Sequence, residues 1–316
     1  MGSTLVLGFG AVGRATTATL LARGESVCVG QRHRPADLPD GARFKTCDVL
    51  DAASVRQAVE GAAQVVLAVG FKYDAAVWRA VWPRTMTNVI DACAVTGARL
   101  IFVDNLYLLG PQRAPLREDM ALTTLGAKPP VLAEVTRIWQ AARQRVRVAA
   151  LRATDFYGPG VTVSHLGSSA FGALAQQKAA MLLAPPDTLH DFAYVPDIAR
   201  AVVALLGAPD DAYGRVWNMS CAPTCTPREI LQLGADALHI PLKLMAIPLR
   251  LIPALGLLVP FLWPTCASSG IGPTASMAAS SRRTSALSSR RWTKALPRPR
   301  ARSAHCNASR PDNAEV

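Results

Sequence analysis

The chain has 316 residues, half of them hydrophobic, which is enough apolar material for one large or two modest globular domains. Its net charge of +12 is concentrated at one end, because residues 264–316 carry +7 and residues 1–263 only +5. No aromatic or motif-based recognition pattern accompanies the basic end, so composition argues against a nucleic-acid-binding protein. The seven cysteines form no C-x-x-C pair and no signal peptide is evident, so we expect a cytoplasmic protein with reduced thiols and no metal site.

The first predicted elements are a buried strand at residues 4–8 and an amphipathic helix at residues 11–23. Between them Gly8, Gly10 and Gly13 form the pattern G-x-G-x-x-G. The first glycine permits a tight turn, the second lets the backbone approach a pyrophosphate, and the third lets the helix pack on the strand. The free N–H groups at the start of the helix attract phosphate. The sequence therefore predicts a dinucleotide site at this turn.

Strands and helices continue to alternate through the first half of the chain. Further strands are predicted at 26–30, 43–47, 65–69, 99–103 and 147–151. Helices are predicted at 52–60, 75–96 and 131–145, the second of them either continuous or broken before Pro83. This alternation predicts an α/β fold with a parallel sheet covered by helices on both faces.

After residue 151 the predicted elements become shorter and the loops longer. A helix is predicted at 167–179, a strand at 192–195, a helix at 196–206 and a strand at 215–218. Thr226 and Glu229 have the spacing of a capping box, and Pro227 stands at the first helical position between them. A helix is therefore predicted from there to about residue 238.

Residues 241–264 are strongly apolar but contain five prolines together with Lys243 and Arg250. The longest uncharged piece, residues 251–263, has 13 residues, short of the roughly 20 that a membrane-spanning helix needs. This favours a hydrophobic lid or a subunit contact over membrane attachment. Residues 264–316 are rich in Ser, Arg, Ala and Pro without apolar periodicity, which is typical either of a disordered basic tail or of translation in a shifted reading frame.

Several further motifs follow the glycine loop in order. They are Cys47–Asp51, Ala68–Gly70, Asn88, Arg152, Tyr157–Pro159 and Tyr194–Ala199. Over roughly residues 3–240 the chain resembles the extended short-chain dehydrogenase/reductases, in the NAD-dependent epimerase/dehydratase branch. The resemblance implies a Rossmann-type doubly wound parallel sheet with a smaller C-terminal substrate-binding part.

The resemblance also implies a domain division and a function. We expect an NAD(P)-binding Rossmann domain at 1–160, a substrate-binding part interleaved with the final Rossmann elements at 161–263, and the basic tail at 264–316. The implied activity is that of an NAD(P)-dependent oxidoreductase or epimerase acting on a small hydroxylated or carbonyl compound, nucleotide-linked sugars included. Family members often pair through two helices, so a homodimer is expected too.

The expected cofactor residues lie at the glycine loop and after the second, third and fourth strands. They are Gly8, Gly10, Ala11, Val12, Gly13, Arg14, Arg32, Arg34, Asp48, Val49, Ala68, Val69 and Gly70. By resemblance, Asp48 and Val49 lie near the adenine, and Ala68–Gly70 near the adenosine ribose and pyrophosphate.

The cofactor preference follows from charge. NAD-binding folds usually have an acidic residue about 20 residues beyond the glycine loop, which accepts from the ribose 2′-OH. Residues 30–34 contain no acid. Arg14, Arg32 and Arg34 instead offer charge-assisted hydrogen bonds to a 2′-phosphate, unless they only form a solvated loop. We therefore expect NADP(H) in preference to NAD(H).

The family's catalytic pattern is missing. Its chemistry uses a Tyr-x-x-x-Lys pair with a nearby Ser or Thr, the lysine lowering the pKa of the tyrosine. No tyrosine here is followed four residues later by lysine. Alignment on Lys128 puts Thr124 at the tyrosine position, whereas alignment on Glu134 puts Gly126 there. The Ser/Thr position falls at or near Asn105.

Another group must carry the proton if catalysis survives. Tyr107 is the best candidate, because the segment after the fifth strand lines the nicotinamide pocket in the family, and its alternative role is to cover the end of the sheet. Weaker candidates are Asp104, Asp155 and Tyr157. His190 and Asp191 precede a predicted strand, where they either face a substrate or lie on the surface. The alternatives to an enzyme are a non-catalytic NADP(H)-binding redox sensor and a poorly folded product of a damaged gene.

Overall fold

The computed structural model describes residues 2–110, 115–123, 125–182, 185–221 and 223–246. The predictions for Thr124, for the apolar segment beyond residue 246 and for the basic tail concern residues outside these ranges.

A parallel sheet of seven strands organises the described part of the chain. The strands, in chain order, are β1 (Ser3–Leu7), β2 (Val27–Gln31), β3 (Arg43–Thr46), β4 (Ala62–Leu67), β5 (Arg99–Asn105), β6 (Val148–Ala153), β7 (Asp155–Tyr157), β8 (Ala180–Leu182), β9 (Phe192–Tyr194), β10 (Val216–Asn218) and β11 (Leu244–Ala246). The large sheet has the order β10-β6-β5-β4-β1-β2-β3. Strands β2 and β3 are added on one side of β1, and β4, β5, β6 and β10 on the other. This is the strand order of a doubly wound Rossmann fold, so the predicted fold class is confirmed.

Helices cover both faces of this sheet. They are α1 (Ala11–Ala22), α2 (Ala52–Val59), α3 (Ala75–Thr96), α4 (Pro129–Ala141), α5 (Ala173–Ala175), α6 (Val195–Leu206) and α7 (Pro227–Ala237). Helices α2, α3 and α4 supply buried apolar residues to a core shared with β1, β4 and β5. Helices α1 and α6 pack against each other. No helix in the described ranges is long and apolar enough to cross a membrane.

Local side-chain chemistry sets several helix ends. The Asp51 carboxylate accepts from the N–H of Ala53 at the start of α2, and Asp74 caps α3 in the same way. At α7 the Thr226 hydroxyl accepts from the Glu229 N–H, and the Glu229 carboxylate accepts from the Thr226 N–H. The predicted capping box is therefore confirmed.

Helix α3 runs unbroken through Pro83, so the predicted alternative of a break is wrong. A proline inside a helix costs about 3 kcal/mol, because one backbone hydrogen bond is lost. The buried side chains Trp78, Trp82, Met86 and Val89 hold the helix to the core on both sides of the proline. Each such burial contributes roughly 1.5–3 kcal/mol, so packing outweighs the lost bond.

The region after β6 differs most from the sequence prediction. In place of a helix at 167–179, a π-helical turn at Gly167–Gly172 continues into the short α5. Gly167 packs closely, because a Cβ there would lie 2.5 Å from the Thr162 carbonyl oxygen, and Gln177 leaves helical geometry with φ of 58°. Two small parallel pairings, β7 with β9 and β8 with β11, complete this region.

The capping box gives a stability prediction. Replacing Thr226 by alanine removes the acceptor of the Glu229 N–H, and we expect the free energy of unfolding to fall by about 1 kcal/mol. Denaturant titration of the full chain measures the change. Thr87→Ala is the matched control, because the Thr87 hydroxyl bonds only the Pro83 carbonyl within its own helix and its removal is expected to be near neutral. Equal losses in both variants would contradict the assigned cap.

Candidate active site

The glycine loop has the geometry that its three positions predict. Gly8 has φ of +93°, and a Cβ there would lie 2.8 Å from the carbonyl oxygen of Ala68. A Cβ at Gly13 would lie 2.1 Å from the carbonyl oxygen of Gly8, so α1 packs against the turn itself. A Cβ at Gly10, in contrast, would meet no atom within 4 Å. The close contacts are at the first and third glycines, and the open space is at the second.

The N-terminus of α1 faces this open space. Gly10 is the residue that precedes the helix, and no side chain caps the helix there. The first backbone N–H groups, at Ala11, Val12 and Gly13, have no partner within the helix, as at any helix start. Ala68 and Val69 lie directly beside Gly8. The structure therefore brings the glycine loop and the segment after β4 together at the carboxyl edge of the sheet.

Asp48 and Val49 follow β3 at the same edge of the sheet. The Asp48 carboxylate accepts from the N–H of Leu50, 3.0 Å away. The Asn88 side chain in α3 donates to the carbonyl of Val49, also at 3.0 Å. These bonds fix the turn after β3, which explains the local role of Asn88.

The three arginines considered for a 2′-phosphate differ in their surroundings. Arg14 pairs with Asp37 and stacks over the Phe9 ring at 4.4 Å. Arg34 lies 5.9 Å from the centre of the Phe44 ring. Arg32 is exposed and follows the last residue of β2 directly. Arg14 and Arg34 thus have protein partners, while Arg32 extends into solvent at the strand end.

Tyr107 lies over the ends of β5 and β6. Asn105, the last residue of β5, accepts from the N–H of Tyr107 at 3.0 Å and so turns the chain back over the sheet. The Tyr107 hydroxyl then donates to Asp155 Oδ1 at 3.0 Å. Burial, the Asp155 charge and a hydrogen bond with Tyr73 raise the pKa of Tyr107 well above 10. Tyr107 is therefore a neutral phenol at physiological pH.

Asp155 is the centre of this group. His190 Nε2 lies 3.2 Å and His165 Nε2 3.7 Å from Asp155 Oδ2. Burial raises the pKa of Asp155, but the adjacent His190 and His165 imidazoles outweigh it and bring that pKa to about 2. Asp155 is thus an ionised carboxylate that a phenol and two imidazoles surround.

Lys128 is enclosed beside this group. Its side chain is 1% exposed, and Nζ lies 2.9 Å from the centre of the Tyr73 ring and 5.5 Å from that of Trp78. Burial lowers the pKa of Lys128 to about 8, and Asp74 opposes the shift. The Tyr73 and Tyr107 rings are 6.4 Å apart. Lys128 therefore contacts Tyr73, and Tyr73 in turn packs against Tyr107. The sequence did not single out Tyr73 as a candidate.

Asp104 and Arg152 form an ion pair beneath the site. They are register partners on β5 and β6, with Arg152 Nε 3.2 Å from Asp104 Oδ2 and both side chains 1% exposed. Burial raises the pKa of Asp104 to about 6, and Arg152 opposes the shift. Asp104 is too deeply buried to touch a substrate in this structure.

The remaining sequence candidates lie on the side of the small sheets. The Tyr157 ring stacks on Phe171 at 6.0 Å and tilts against Tyr194 at 5.3 Å. Burial raises the pKa of Tyr157. Asp191 is 1% exposed and accepts from the Thr224 hydroxyl at 2.6 Å. The surface alternative for Asp191 is therefore wrong, and His190 contacts Asp155.

The comparisons agree with this fold. The profile of the NAD dependent epimerase/dehydratase family matches residues 4–220. No curated protein sequence matches the chain significantly. A UDP-glucose 4-epimerase from Thermus thermophilus in complex with NAD shares 18% identity and a TM-score of 0.65, over 88% of this chain and 97% of that one.

Two further solved structures have the same fold. A UDP-glucuronic acid 4-epimerase from Bacillus cereus, in complex with NAD, has 15% identity and a TM-score of 0.67, over 78% of this chain and 87% of that one. The dTDP-glucose 4,6-dehydratase DesIV from Streptomyces venezuelae, with NAD and DAU bound, has 17% identity and a TM-score of 0.67, over 77% and 84%. Because the family profile covers more than half of its length, the chain belongs to the NAD dependent epimerase/dehydratase family.

Proposed function

We propose that the protein is an NAD(P)-dependent enzyme that oxidises and reduces a hydroxyl-bearing or carbonyl compound, with nucleotide-linked sugars as the favoured class. One observation carries the proposal. The carboxyl edge of a single sheet carries an open, glycine-lined helix N-terminus after β1 and a half-buried Tyr107–Asp155 pair after β5 and β6. Since β1 and β5 are two strand spacings apart, or about 10 Å, an extended dinucleotide bound at the first can reach the second.

The residues present fit a pyridine dinucleotide. The space over Gly10 admits a phosphate without a clash, and the N–H groups of Ala11, Val12 and Gly13 are oriented as phosphate donors by the helix start. Ala68–Gly70 lie along the path toward β5. When bound there, such a cofactor supplies a hydride acceptor or donor.

The chain's own residues supply the proton chemistry in this proposal. The Tyr107 hydroxyl donates to Asp155 at 3.0 Å. This hydroxyl can give a proton to a substrate oxygen or take a proton from a substrate hydroxyl. The enclosing Tyr73 and Trp78 rings and the buried Lys128 limit the access of water from the side of α3. This arrangement takes the place of the missing Tyr-x-x-x-Lys pair.

The substrate class rests on two observations. The structural neighbours from Bacillus cereus and Streptomyces venezuelae are named for UDP- and dTDP-linked sugars. In this chain the stacked Tyr157 and Phe171 rings, with the partly exposed Tyr194, offer a flat aromatic surface beside β7, and such faces pack well against rings. A cytoplasmic location, a homodimer and the assignment of residues 161–263 to substrate binding belong to the same proposal.

The non-catalytic redox sensor is the second candidate, and the absence of Tyr-x-x-x-Lys favours it. A sensor must bind the oxidised and reduced cofactors with different affinities, since a ligand without differential affinity shifts no equilibrium. Equal affinities together with turnover of a UDP-sugar support the enzyme, whereas a large difference without any turnover supports the sensor.

Gly10→Ala tests the cofactor site without disturbing the fold. Gly10 has φ of −74°, which alanine adopts freely, and a Cβ there meets no protein atom. The methyl group would stand where a phosphate approaches. We expect calorimetry to show at least about a tenfold loss of NAD(P)H affinity, equivalent to about 1.4 kcal/mol, with an unchanged melting temperature.

Gly207→Ala is the matched control for that experiment. Gly207 follows α6, and a Cβ there makes only ordinary contacts at 3.8 Å. This variant should keep the affinity of the unmodified chain. Unchanged affinity in Gly10→Ala would contradict phosphate binding over the glycine loop.

Arg32→Ala tests the proposed preference for NADP(H). A lost charge-assisted bond to the 2′-phosphate is expected to weaken NADPH binding by about tenfold or more while NADH binding stays unchanged. Arg34→Ala is the control, because Arg34 packs near Phe44. This variant should lose less NADPH affinity than Arg32→Ala. Tighter binding of NADH than NADPH by the unmodified chain would refute the preference.

A further inference from the structure

We propose that Asp155, His165 and His190 form a proton relay that reloads and unloads the Tyr107 hydroxyl. The inference rests on the proposed function, because it assigns the path of the proton in that reaction. In this relay Asp155 is a positioning and transfer residue, and the imidazoles are the groups that exchange protons with solvent.

The need for a relay follows from the position of Tyr107. A tyrosine beside a lysine ammonium can lose its proton, but the hydroxyl of Tyr107 faces a carboxylate 3.0 Å away, and the nearby Lys128 contacts the face of Tyr73 instead. The neutral phenol is favoured there. When Tyr107 gives its proton to a substrate, a second group must therefore supply a new proton to its oxygen. When Tyr107 takes a proton from a substrate, the second group must accept the proton that Tyr107 already carries.

The contacts provide that second group. Asp155 Oδ1 accepts from Tyr107, while Oδ2 lies 3.2 Å from His190 Nε2 and 3.7 Å from His165 Nε2. The His165 side chain is 33% exposed and that of His190 17%. The chain of contacts thus runs from a half-buried phenol to an imidazole that solvent reaches.

The proton balance is complete in both directions. When a carbonyl is reduced, Tyr107 gives its hydroxyl proton to the substrate oxygen, Asp155 passes a proton to the Tyr107 oxygen, and an imidazolium passes one to Asp155. The electrons come as hydride from the reduced pyridine nucleotide. When an alcohol is oxidised, each proton moves the opposite way and the hydride leaves to the oxidised nucleotide, so the imidazole ends protonated.

The charged and titratable neighbours come from five segments of the chain. The groups that face Asp155, or face it through Tyr107, are Tyr107, His165, His190, Tyr73, Lys128 and Asp74. Within the described ranges no cluster of three or more His, Cys, Asp or Glu side chains is arranged to hold a metal ion.

The relay predicts opposite pH dependences for the rates of reduction and oxidation. Reduction needs an imidazolium, so its rate should fall as pH rises. Oxidation needs a neutral imidazole, so its rate should fall as pH falls. A neutral Tyr107 acting alone would leave the reduction rate independent of pH, because the phenol stays protonated while its pKa is well above 10, so the reduction direction tests the relay.

Asp155→Asn tests the relay. The amide keeps the shape and an acceptor for Tyr107 but cannot transfer the proton. With UDP-glucose or UDP-glucuronic acid and NAD⁺ or NADP⁺, we expect kcat to fall by at least about 100-fold, with KM and cofactor affinity little changed and the pH dependence flattened. Asp187→Asn is the matched control, since Asp187 pairs with Arg228 at the surface.

A second readout needs no turnover. The ring resonance of Tyr107 in labelled protein, assigned with Tyr107→Phe, should respond to pH, because a proton gained or lost by the imidazoles reaches Tyr107 through Asp155. The response should disappear in the double variant His165→Gln/His190→Gln and persist in Asp187→Asn. His165→Gln and His190→Gln separately identify which imidazole carries the proton.

The outcomes separate the two proposals. Absence of NAD(P)H binding by the unmodified chain would refute the proposed function. Turnover with the same kcat and pH profile in Asp155→Asn would overturn the relay while the proposed function stands. If the chain binds cofactor but turns over neither sugar nucleotide, the Tyr107 resonance decides: a response that the double histidine variant abolishes supports the relay, and a response unchanged in that variant refutes it.

Discussion

The close approach of α1 to the turn after β1 is the constraint on which the site depends. A single methyl group on Gly13 would lie 2.1 Å from the Gly8 carbonyl oxygen, so no larger residue fits without moving the helix. This contact puts the first N–H groups of α1 at the carboxyl edge of the sheet, with the open space over Gly10 in front of them. Since α1 also packs against α6, the same contact helps to position both helices on the sheet.

A second constraint holds the other half of the site. The buried Asp104–Arg152 pair joins β5 to β6 one residue before Asn105 turns the chain toward Tyr107. Removing one partner of such a pair leaves a buried charge and typically costs about 3–5 kcal/mol. The pair therefore fixes the register of the two strand ends from which Tyr107 and Asp155 project. The Tyr107–Asp155 hydrogen bond therefore depends on a charge pair buried beneath it.

Sequence predicted the parts of this structure that local chemistry determines. The glycine loop, the capping box at Thr226 and the strand–helix alternation each follow from residues a few positions apart, and all three are confirmed. The family and its fold followed from motifs in a fixed order. The unbroken course of α3 could not be predicted from the sequence. The penalty of Pro83 is local, whereas the compensating burial of Trp82 and Met86 depends on tertiary packing.

The proposed catalytic cluster around Asp155 was only partly predictable for the same reason. Tyr107 stood out by its position after β5, but His165 carried no local signal, and its nearness to Asp155 arises only when the loop before the π-helical turn folds over β7. Tyr73 lies just after the Ala68–Gly70 segment, a position that could have drawn attention to it. Its contact with Lys128 joins segments far apart in sequence, so the proposed replacement for the missing Tyr-x-x-x-Lys pair became visible only in three dimensions.

A crystal structure of the chain grown with NADPH tests the central claim most directly. We predict that the pyrophosphate binds against the N–H groups that follow Gly10. The nicotinamide ring should then lie at the end of β5, beside the Tyr107 hydroxyl. A nucleotide bound elsewhere, or a nicotinamide ring turned away from Tyr107 and Asp155, would contradict it.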